Sequence, residues 1–284
     1  MTDKVIAAID GSRSSESVCD HAAWASKRLA ARLALLHVVR TPHADKVADY
    51  SGNLAVDNRK KLLNEMVEIE EQRNRLLREQ GKAILADALE RVTGQGIEEA
   101  ERLLRHGRIT EMLNDLQSEA RLVVLGKQGK DGDMVKRHVG SHLESLISTL
   151  KTPLLIAPLE YVQPKNILIA YDGSATAEKV VDKVAKSPLL KGLPAHLLMV
   201  AEDNGGNQTK MDQARNKLDA QGFDVTTSIR GGDVSNVICR YADEHDIHLM
   251  AMGAFGHSVM RRFFVGSTTT RMIMQAQIPL LILR

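Results

Sequence analysis

The sequence is poor in aromatic residues and in cysteine. Phe, Trp and Tyr make up 3% of its 284 residues, so the interior must be built from aliphatic side chains and methionine. The two cysteines, Cys19 and Cys239, form no C-x-x-C pair and are too few for a disulfide framework, which indicates a reducing compartment. Both fall on apolar faces of predicted helices, where core packing is favoured over a reactive role.

Long apolar runs and an excess of one charge are also missing. No run approaches the ~20 residues of a membrane span, and the first residues do not have the pattern of a signal peptide. The 38 basic and 36 acidic residues leave a net charge of +2, so no overall field attracts nucleic acid. We therefore expect a cytoplasmic protein with neither a membrane span nor a nucleic-acid partner.

Several common catalytic motifs are absent. The sequence has no G-x4-G-K-[ST] phosphate loop, no G-x-S-x-G nucleophile turn and no H-E-x-x-H zinc motif. Its ten histidines show no metal-ligand spacing, and His37, at the end of a predicted strand, is interpreted as structural. Nothing in these patterns positions a nucleophile or a general base, so the sequence predicts no catalytic residue.

Short apolar runs alternate with amphipathic helical patterns along the chain. Residues 4–9 and 33–39 are continuous apolar runs, as in parallel strands that are buried on both faces. The segment between them has apolar residues at helical spacing, and a right-handed crossover makes such strands parallel. The order β-α-β-α-β-α-β-α-β predicts an α/β fold with a five-stranded parallel sheet flanked by helices.

This pattern occurs twice. Residues 5–12 return as residues 167–174, a shift of 162, and residues 153–156 return as residues 279–282, a shift of 126. Two tandem domains are therefore predicted, the first at 1–160 and the second at 165–284, joined by a short linker. The second copy is shorter mainly because it lacks a long charged helix.

That helix is predicted over residues 54–92 of the first copy. A single helix of this length would measure about 55 Å, which is more than the width of one small domain. We therefore expect either a protruding helix or a break near Gly81. Its charged residues are interpreted as a solvated face rather than as a binding tail.

The most specific motif lies in the second copy, between an apolar strand and a helical segment. Gly253, Gly256, Gly266 and Ser267 have the spacing G-x2-G-x9-G-S, and Thr268 follows. Glycines let the backbone approach phosphates closely, and a helix N-terminus offers unpaired N–H groups with a partial positive charge. A tight turn without a ligand is the alternative. We favour a triphosphate bound by the backbone N–H groups and by the hydroxyls of Ser267 and Thr268.

This spacing resembles the ATP-binding signature of universal stress proteins, and the resemblance covers nearly the whole chain. It implies two adenine nucleotide alpha hydrolase-like (Rossmann-like) domains, with Asp172 beside the nucleoside and Val200 bordering the adenine. The implied ligand is ATP, one or two per chain, with Mg²⁺ bound through the phosphates. The implied role is that of a regulatory protein in a stress response.

The first copy departs from the pattern. Its corresponding residues are Asp10, Val38, Gly126, Gly129, Gly140 and Ser141. Ten residues rather than nine separate Gly129 from Gly140, and they include Asp131 and Asp133, whose charges would repel a triphosphate. Nearby basic residues, Lys127 among them, would partly offset this repulsion. Nucleotide binding by the first copy stays open.

Two other functions also stay open. A weak ATPase or transferase would use the same loop, and a nucleotide-independent interaction module would fit the altered first loop and the charged helix. A pyrophosphatase or nucleotidyltransferase of related architecture would need a further Gly/Ser-rich loop after the first strand. The chain has only Asp-Gly-Ser at that position. Catalysis beyond slow ATP hydrolysis is therefore not expected.

Each copy ends in an apolar strand that follows a proline, at residues 153–157 and 279–283. The last strand of a five-stranded sheet lies at an edge, and an apolar edge invites pairing. Universal stress proteins resemble one another in dimerising through this strand, and the short linker favours pairing within one chain. We therefore expect an intramolecular pair of domains, a further homodimer through the long helix, and an unidentified protein partner.

Overall fold

All the strands belong to a single sheet in the computed structural model, which describes residues 3–39, 56–127, 141–254 and 267–284. Within those residues the strands are β1 (Lys4–Ala8), β2 (Arg32–Val39), β3 (Ala100–His106), β4 (Ala120–Gly126), β5 (Leu154–Ala157), β6 (Ile167–Tyr171), β7 (Ala195–Val200), β8 (Val225–Arg230), β9 (Met250–Gly253) and β10 (Leu280–Leu283). Their order across the sheet is β3-β2-β1-β4-β5-β10-β9-β6-β7-β8. Strands are parallel within each half, as the sequence repeat predicts.

Helices cover both faces of this sheet. They are α1 (Ser14–Leu29), α2 (Val56–Gly94), α3 (Ile109–Leu116), α4 (Ser141–Thr149), α5 (Ala175–Ala185), α6 (Gly205–Asp219), α7 (Val234–Glu244) and α8 (Ser267–Gln275). One apolar core contains residues of α1, α2, α5 and α6, and the other contains residues of α3, α4, α7 and α8. Each core runs through both halves of the chain, so the two repeats share their interior.

The two repeats join where β5 pairs with β10. This pairing is antiparallel, and Leu155 lies opposite Leu281 at its centre. The two leucines are buried, and they contribute to the same face of the sheet. Burying one leucine side chain is worth about 1.5–3 kcal/mol. The predicted pairing of the terminal strands within one chain is therefore confirmed, and it places the carboxyl ends of the two sets of strands at opposite edges of the sheet.

Helix α2 does not break at Gly81. It is continuous over 39 residues, and Gly81 is buried against the sheet. A Cβ at this position would lie 2.7 Å from Cδ1 of Leu104 and 3.0 Å from the His37 ring, so glycine here permits close packing. Residues 64–80 are mostly exposed, whereas Leu85, Ala88 and Val92 are buried. Of the two alternatives, the protruding helix is correct and the break is wrong.

Candidate functional site

The carboxyl ends of β6 and β9 form a topological switch point in the second repeat. The strands are neighbours, and the chain leaves β6 toward β7 on one side and β9 toward β10 on the other. In open α/β sheets, ligands bind where connections diverge in this way. Asp172 directly follows β6, Val200 is the last residue of β7 and Gly253 is the last residue of β9. Three residues singled out from sequence thus lie at one edge of the sheet.

Asp172 holds the turn that leads from β6 into α5. Its Oδ1 accepts a hydrogen bond of 3.0 Å from the backbone N–H of Ser174. Gly173 between them has a φ of 70°, which glycine adopts without strain. Ser174 then caps α5, because its Oγ accepts a bond of 3.1 Å from the N–H of Ala177. The sequence Asp-Gly-Ser therefore has a structural role in this turn, besides the role beside a nucleoside that the resemblance implies.

The first repeat builds the same turn. Oδ1 of Asp10 accepts a bond of 2.9 Å from the N–H of Ser12 and one of 3.3 Å from the hydroxyl of Ser15. Gly11 has a φ of 73°. Val38 lies near the end of β2 and Gly126 ends β4, as their counterparts do in the second repeat. This half of the chain thus has a second switch point of the same topology.

Gly253 has a packing reason to be glycine. A Cβ at this position would lie 3.1 Å from Cγ2 of Thr176 and 3.5 Å from Cγ2 of Val180, both in α5. A larger residue would press β9 against the first turns of that helix. The close packing of β9 on α5 therefore explains the glycine, and its presence alone is not evidence that a ligand binds there.

The N-terminus of α8 is fixed behind the end of β9. The buried hydroxyl of Thr269 donates a hydrogen bond of 3.2 Å to the carbonyl oxygen of Ala254. Ser267 and Thr268 are the first residues of this helix, so its unpaired N–H groups lie near the carboxyl end of β9. This is the strand-to-helix arrangement that favours an anion. Ser141 likewise opens α4 in the first repeat. Gly129, Gly140, Gly256 and Gly266 lie outside the described residues.

Lys210 is a cation of this region that sequence reasoning missed. It belongs to α6, and its side chain lies over Gly173: a Cβ there would be 2.7 Å from Cδ of Lys210 and 3.3 Å from its Nζ. The ammonium is thus carried to the turn that contains Asp172. No local pattern marks Lys210 among the other lysines, because its position depends on how α6 packs beside α5.

Lys127 of the first repeat bonds to the second repeat. Its ammonium donates hydrogen bonds of 2.8 Å to the carbonyl oxygen of Met274 and 2.9 Å to that of Ala276. Burial lowers the pKa of Lys127. The ammonium thus satisfies carbonyls at the C-terminal end of α8, and the prediction that its charge partly offsets Asp131 and Asp133 stays a prediction. The two aspartates lie outside the described residues.

His37 and the two cysteines are surrounded by packing and hydrogen-bonding contacts of the fold. Nδ1 of His37 hydrogen-bonds to the carbonyl oxygen of Ile9 over 2.8 Å, which supports its structural interpretation. Cys19 is buried, and burial raises the pKa of its thiol to about 12; burial also raises the pKa of the half-buried Cys239.

Within the described ranges, no three His, Cys, Asp or Glu side chains are grouped as metal ligands. No helix in those ranges is long and apolar enough to cross a membrane.

Comparison with known proteins identifies the family. The Universal stress protein family matches residues 1–158 and again residues 164–284. Universal stress protein Slr1230 of Synechocystis is 29% identical over 284 residues, which are 99% of each chain. The structure of a universal stress protein from Archaeoglobus fulgidus superimposes with a TM-score of 0.71 at 17% identity, covering 100% of this chain and 97% of its own.

A shorter solved structure matches one repeat. It is the universal stress protein from Archaeoglobus fulgidus in complex with dAMP, which is 19% identical and has a TM-score of 0.35. The match covers 42% of this chain and 97% of the shorter one. The two matches of the family, one to each repeat, and the full-length relative lead to one conclusion. The chain belongs to the universal stress protein family, with two of the family's domains in tandem.

Proposed function

We propose that this chain is a cytoplasmic, ATP-binding regulatory protein of a stress response, and that its second domain is the stronger nucleotide site. The triphosphate would bind to the backbone N–H groups of Gly253, Gly256 and Gly266 and at the start of α8, where Ser267 and Thr268 add hydroxyls. Asp172 would lie beside the nucleoside and Val200 beside the adenine. The domains are taken as residues 1–160 and 165–284.

One observation carries this proposal. The bond from Thr269 to the carbonyl oxygen of Ala254 holds the N-terminus of α8 at the carboxyl end of β9, next to the turn of Asp172. The positive end of a helix therefore lies at the end of β9, the strand that neighbours β6, and this supports an anion site at the topological switch point. Mg²⁺ would be held mainly by the phosphates, because it usually binds through them and through few protein carboxylates.

Titration calorimetry with Mg-ATP tests the site. Gly256→Val should abolish binding by the second domain, because a branched side chain would occupy the phosphate path. Gly253 is a poor choice for this test, since a side chain there would also clash with Thr176. Gly129→Val in the first domain is the matched control and should leave the stronger site intact. Wild-type affinity in Gly256→Val would contradict the assignment.

The first domain would bind ATP more weakly through Asp10, Val38, Gly126, Gly129, Gly140 and Ser141, which would give one or two nucleotides per chain. Shortening its loop by one residue while replacing Asp131 and Asp133 with Ser should raise its affinity, because the spacing then matches the second domain and the repulsion is removed. Unchanged stoichiometry and affinity would contradict this account of the difference between the domains.

Slow ATP hydrolysis is the competing enzymatic function. Mass spectrometry of the purified protein helps to distinguish an ATPase from a regulatory protein that only binds ATP. Retained ATP indicates a protein that binds ATP and hydrolyses it slowly or not at all. Steady-state phosphate release by the wild type above that of Gly256→Val would instead favour a weak ATPase that uses the same loop. A protein without nucleotide, and with no heat of binding, would favour a nucleotide-independent interaction module.

A further inference from the structure

A cavity of about 280 Å³ lies between the two repeats, on the face of the sheet that α1 and α5 cover. Both repeats supply its walls. Most of the lining side chains are apolar and buried, among them Leu29, Leu122 and Pro153 of the first repeat and Leu189, Leu281 and Leu283 of the second. Binding sites for small molecules are concave and mostly apolar, with a few polar groups that orient the ligand. The cavity thus has the walls expected for a small ligand with a hydrocarbon part.

Two basic side chains, Arg121 and Lys183, also line the cavity. One N–H of the Arg121 guanidinium donates a hydrogen bond of 3.0 Å to the carbonyl oxygen of Leu29, which holds the side chain at the wall that Leu29 forms. A guanidinium carries five N–H donors, so others stay available for a ligand. Lys183 is exposed in the last turn of α5. Within the described residues, neither Arg121 nor Lys183 takes part in a salt bridge.

The surroundings of the cavity are basic as well. Lys186 is exposed directly after α5, and Arg28 of α1 donates a bond of 2.7 Å to the carbonyl oxygen of Leu189. Asp182, the acidic neighbour of Lys183 in sequence, pairs instead with Lys217 of α6 at 3.2 Å. Among the described residues, no acidic side chain lines the cavity. An anion there would therefore meet positive charge that no carboxylate neutralises.

Apolar walls together with two cations fit an amphiphilic anion with a single hydrocarbon chain. The chain would cover the leucines, and each CH₂ group that leaves water raises the affinity by about fourfold. A carboxylate matches the planar fork of a guanidinium, which can donate to both of its oxygens. An anion without a chain would leave the leucines uncovered, and a neutral hydrocarbon would leave Arg121 and Lys183 without a partner.

We propose that this cavity binds a medium-chain fatty acid, with its chain against Leu122 and Leu281 and its carboxylate at Arg121 and Lys183. Because walls of both repeats contact the ligand, it stabilises the junction between them. The described residues assigned to the nucleotide sites do not line the cavity, so this binding does not depend on ATP.

Titration calorimetry of the full chain with octanoate tests the site. Octanoate should bind saturably and about fivefold or more tighter than hexanoate, since two further CH₂ groups leave water. Octan-1-ol has the same chain without the charge and should bind about tenfold more weakly, because the charge-assisted hydrogen bonds are lost. No saturable binding of octanoate, or equal affinity for octan-1-ol, would overturn the proposal. Octanoate affinity that falls at higher protein concentration would assign the cavity to a second copy of this chain instead.

Two variants test whether octanoate lies in the cavity. Ser187→Trp adds a large side chain at a partly exposed lining position and should weaken binding about tenfold. Lys183→Met removes one screened cation and should weaken it about threefold. Lys186→Met is the matched control, because this exposed lysine follows the same helix but does not line the cavity. Circular dichroism shows that each variant is folded. Wild-type affinity in Lys183→Met or in folded Ser187→Trp, or an equal loss in Lys186→Met, would contradict binding in the cavity.

Discussion

The ammonium of Lys127 lies 2.8 Å from the carbonyl oxygen of Met274, at the opposite side of the contact between the two repeats. Arg284 makes the corresponding contact in the opposite direction: it donates bonds of 2.9 and 3.0 Å to the carbonyl oxygens of Ser148 and Leu150. Ser148 and Met274 are equivalent positions of the repeat, but their donors come from different strands. Each domain thus supplies one cation to carbonyls that the last helical turn of the other leaves unpaired.

Replacing Lys127 with methionine should lower the free energy of unfolding by about 1–2 kcal/mol, since two carbonyl oxygens lose a charged donor while the stem is kept. Urea denaturation at pH 7 measures the change. Lys151→Met, at an exposed position, is the control and should have little effect. Equal stability of Lys127→Met and the wild type would show that the bonds to α8 contribute nothing.

Burial of His21 should make the protein sensitive to mild acid. Nδ1 bonds to the carbonyl oxygen of Ser17 at 2.8 Å, Nε2 has no partner within the described residues, and burial lowers the pKa to about 4. Below the usual pKa of 6.5 the unfolded imidazole gains a proton while the folded one stays neutral, so stability falls between pH 6.5 and 4. The loss should reach about 2–4 kcal/mol.

His21→Phe tests that sensitivity, because phenylalanine keeps an aromatic contact with Tyr161, whose ring centroid lies 4.7 Å away, and does not titrate. Urea unfolding at pH 7 and at pH 4.5 should differ less for His21→Phe than for the wild type. His106→Gln, at an exposed position, should keep the wild-type difference. An unaltered pH dependence in His21→Phe would assign the acid sensitivity to other groups.

A charge at the centre of the β5–β10 contact should disrupt the chain. Leu281→Lys places an ammonium at a position only 1% exposed, opposite Leu155, at a cost of about 4 kcal/mol or more. Light scattering should show an expanded or aggregated chain. Leu159→Lys, just beyond β5 and 45% exposed, should behave as the wild type. A Leu281→Lys chain of native size and stability would contradict the buried pairing.

Lys210→Met should weaken ATP binding about two- to fivefold, as expected for one solvent-screened charge. The effect should be larger for ATP than for adenosine, since the ammonium acts on phosphates by Coulomb attraction, and it should shrink at high salt. Calorimetry with both ligands checks the ratio. Lys179→Met, an exposed lysine of α5, is the control. Equal losses for ATP and adenosine would indicate a packing effect over Gly173 instead.

The parallel strands and their occurrence in two repeats could be predicted, because buried parallel strands are continuous apolar runs, which the chain contains twice. The role of Gly81 could not be predicted from the sequence, because glycine is needed there for the close approach of Leu104, which lies on β3. A pair of glycines does not indicate a helix, yet α6 begins at Gly205, because Oδ1 of Asn204 caps it by accepting a bond of 3.0 Å from the N–H of Asn207. Lys210 and Lys127 depend on helix placement and on contact between domains, which no local spacing encodes.

The antiparallel contact of β5 with β10 leaves no hinge between the repeats. Rotating one domain against the other would break the main-chain pairing around Leu155 and Leu281 and open both apolar cores at once. Any closure around a nucleotide at the proposed sites would therefore be local rather than a rotation of one domain against the other. The carboxyl ends of the two sets of strands lie at opposite edges of the sheet. The two proposed nucleotide sites would therefore face opposite directions, and they would contact different partners or two parts of one large partner.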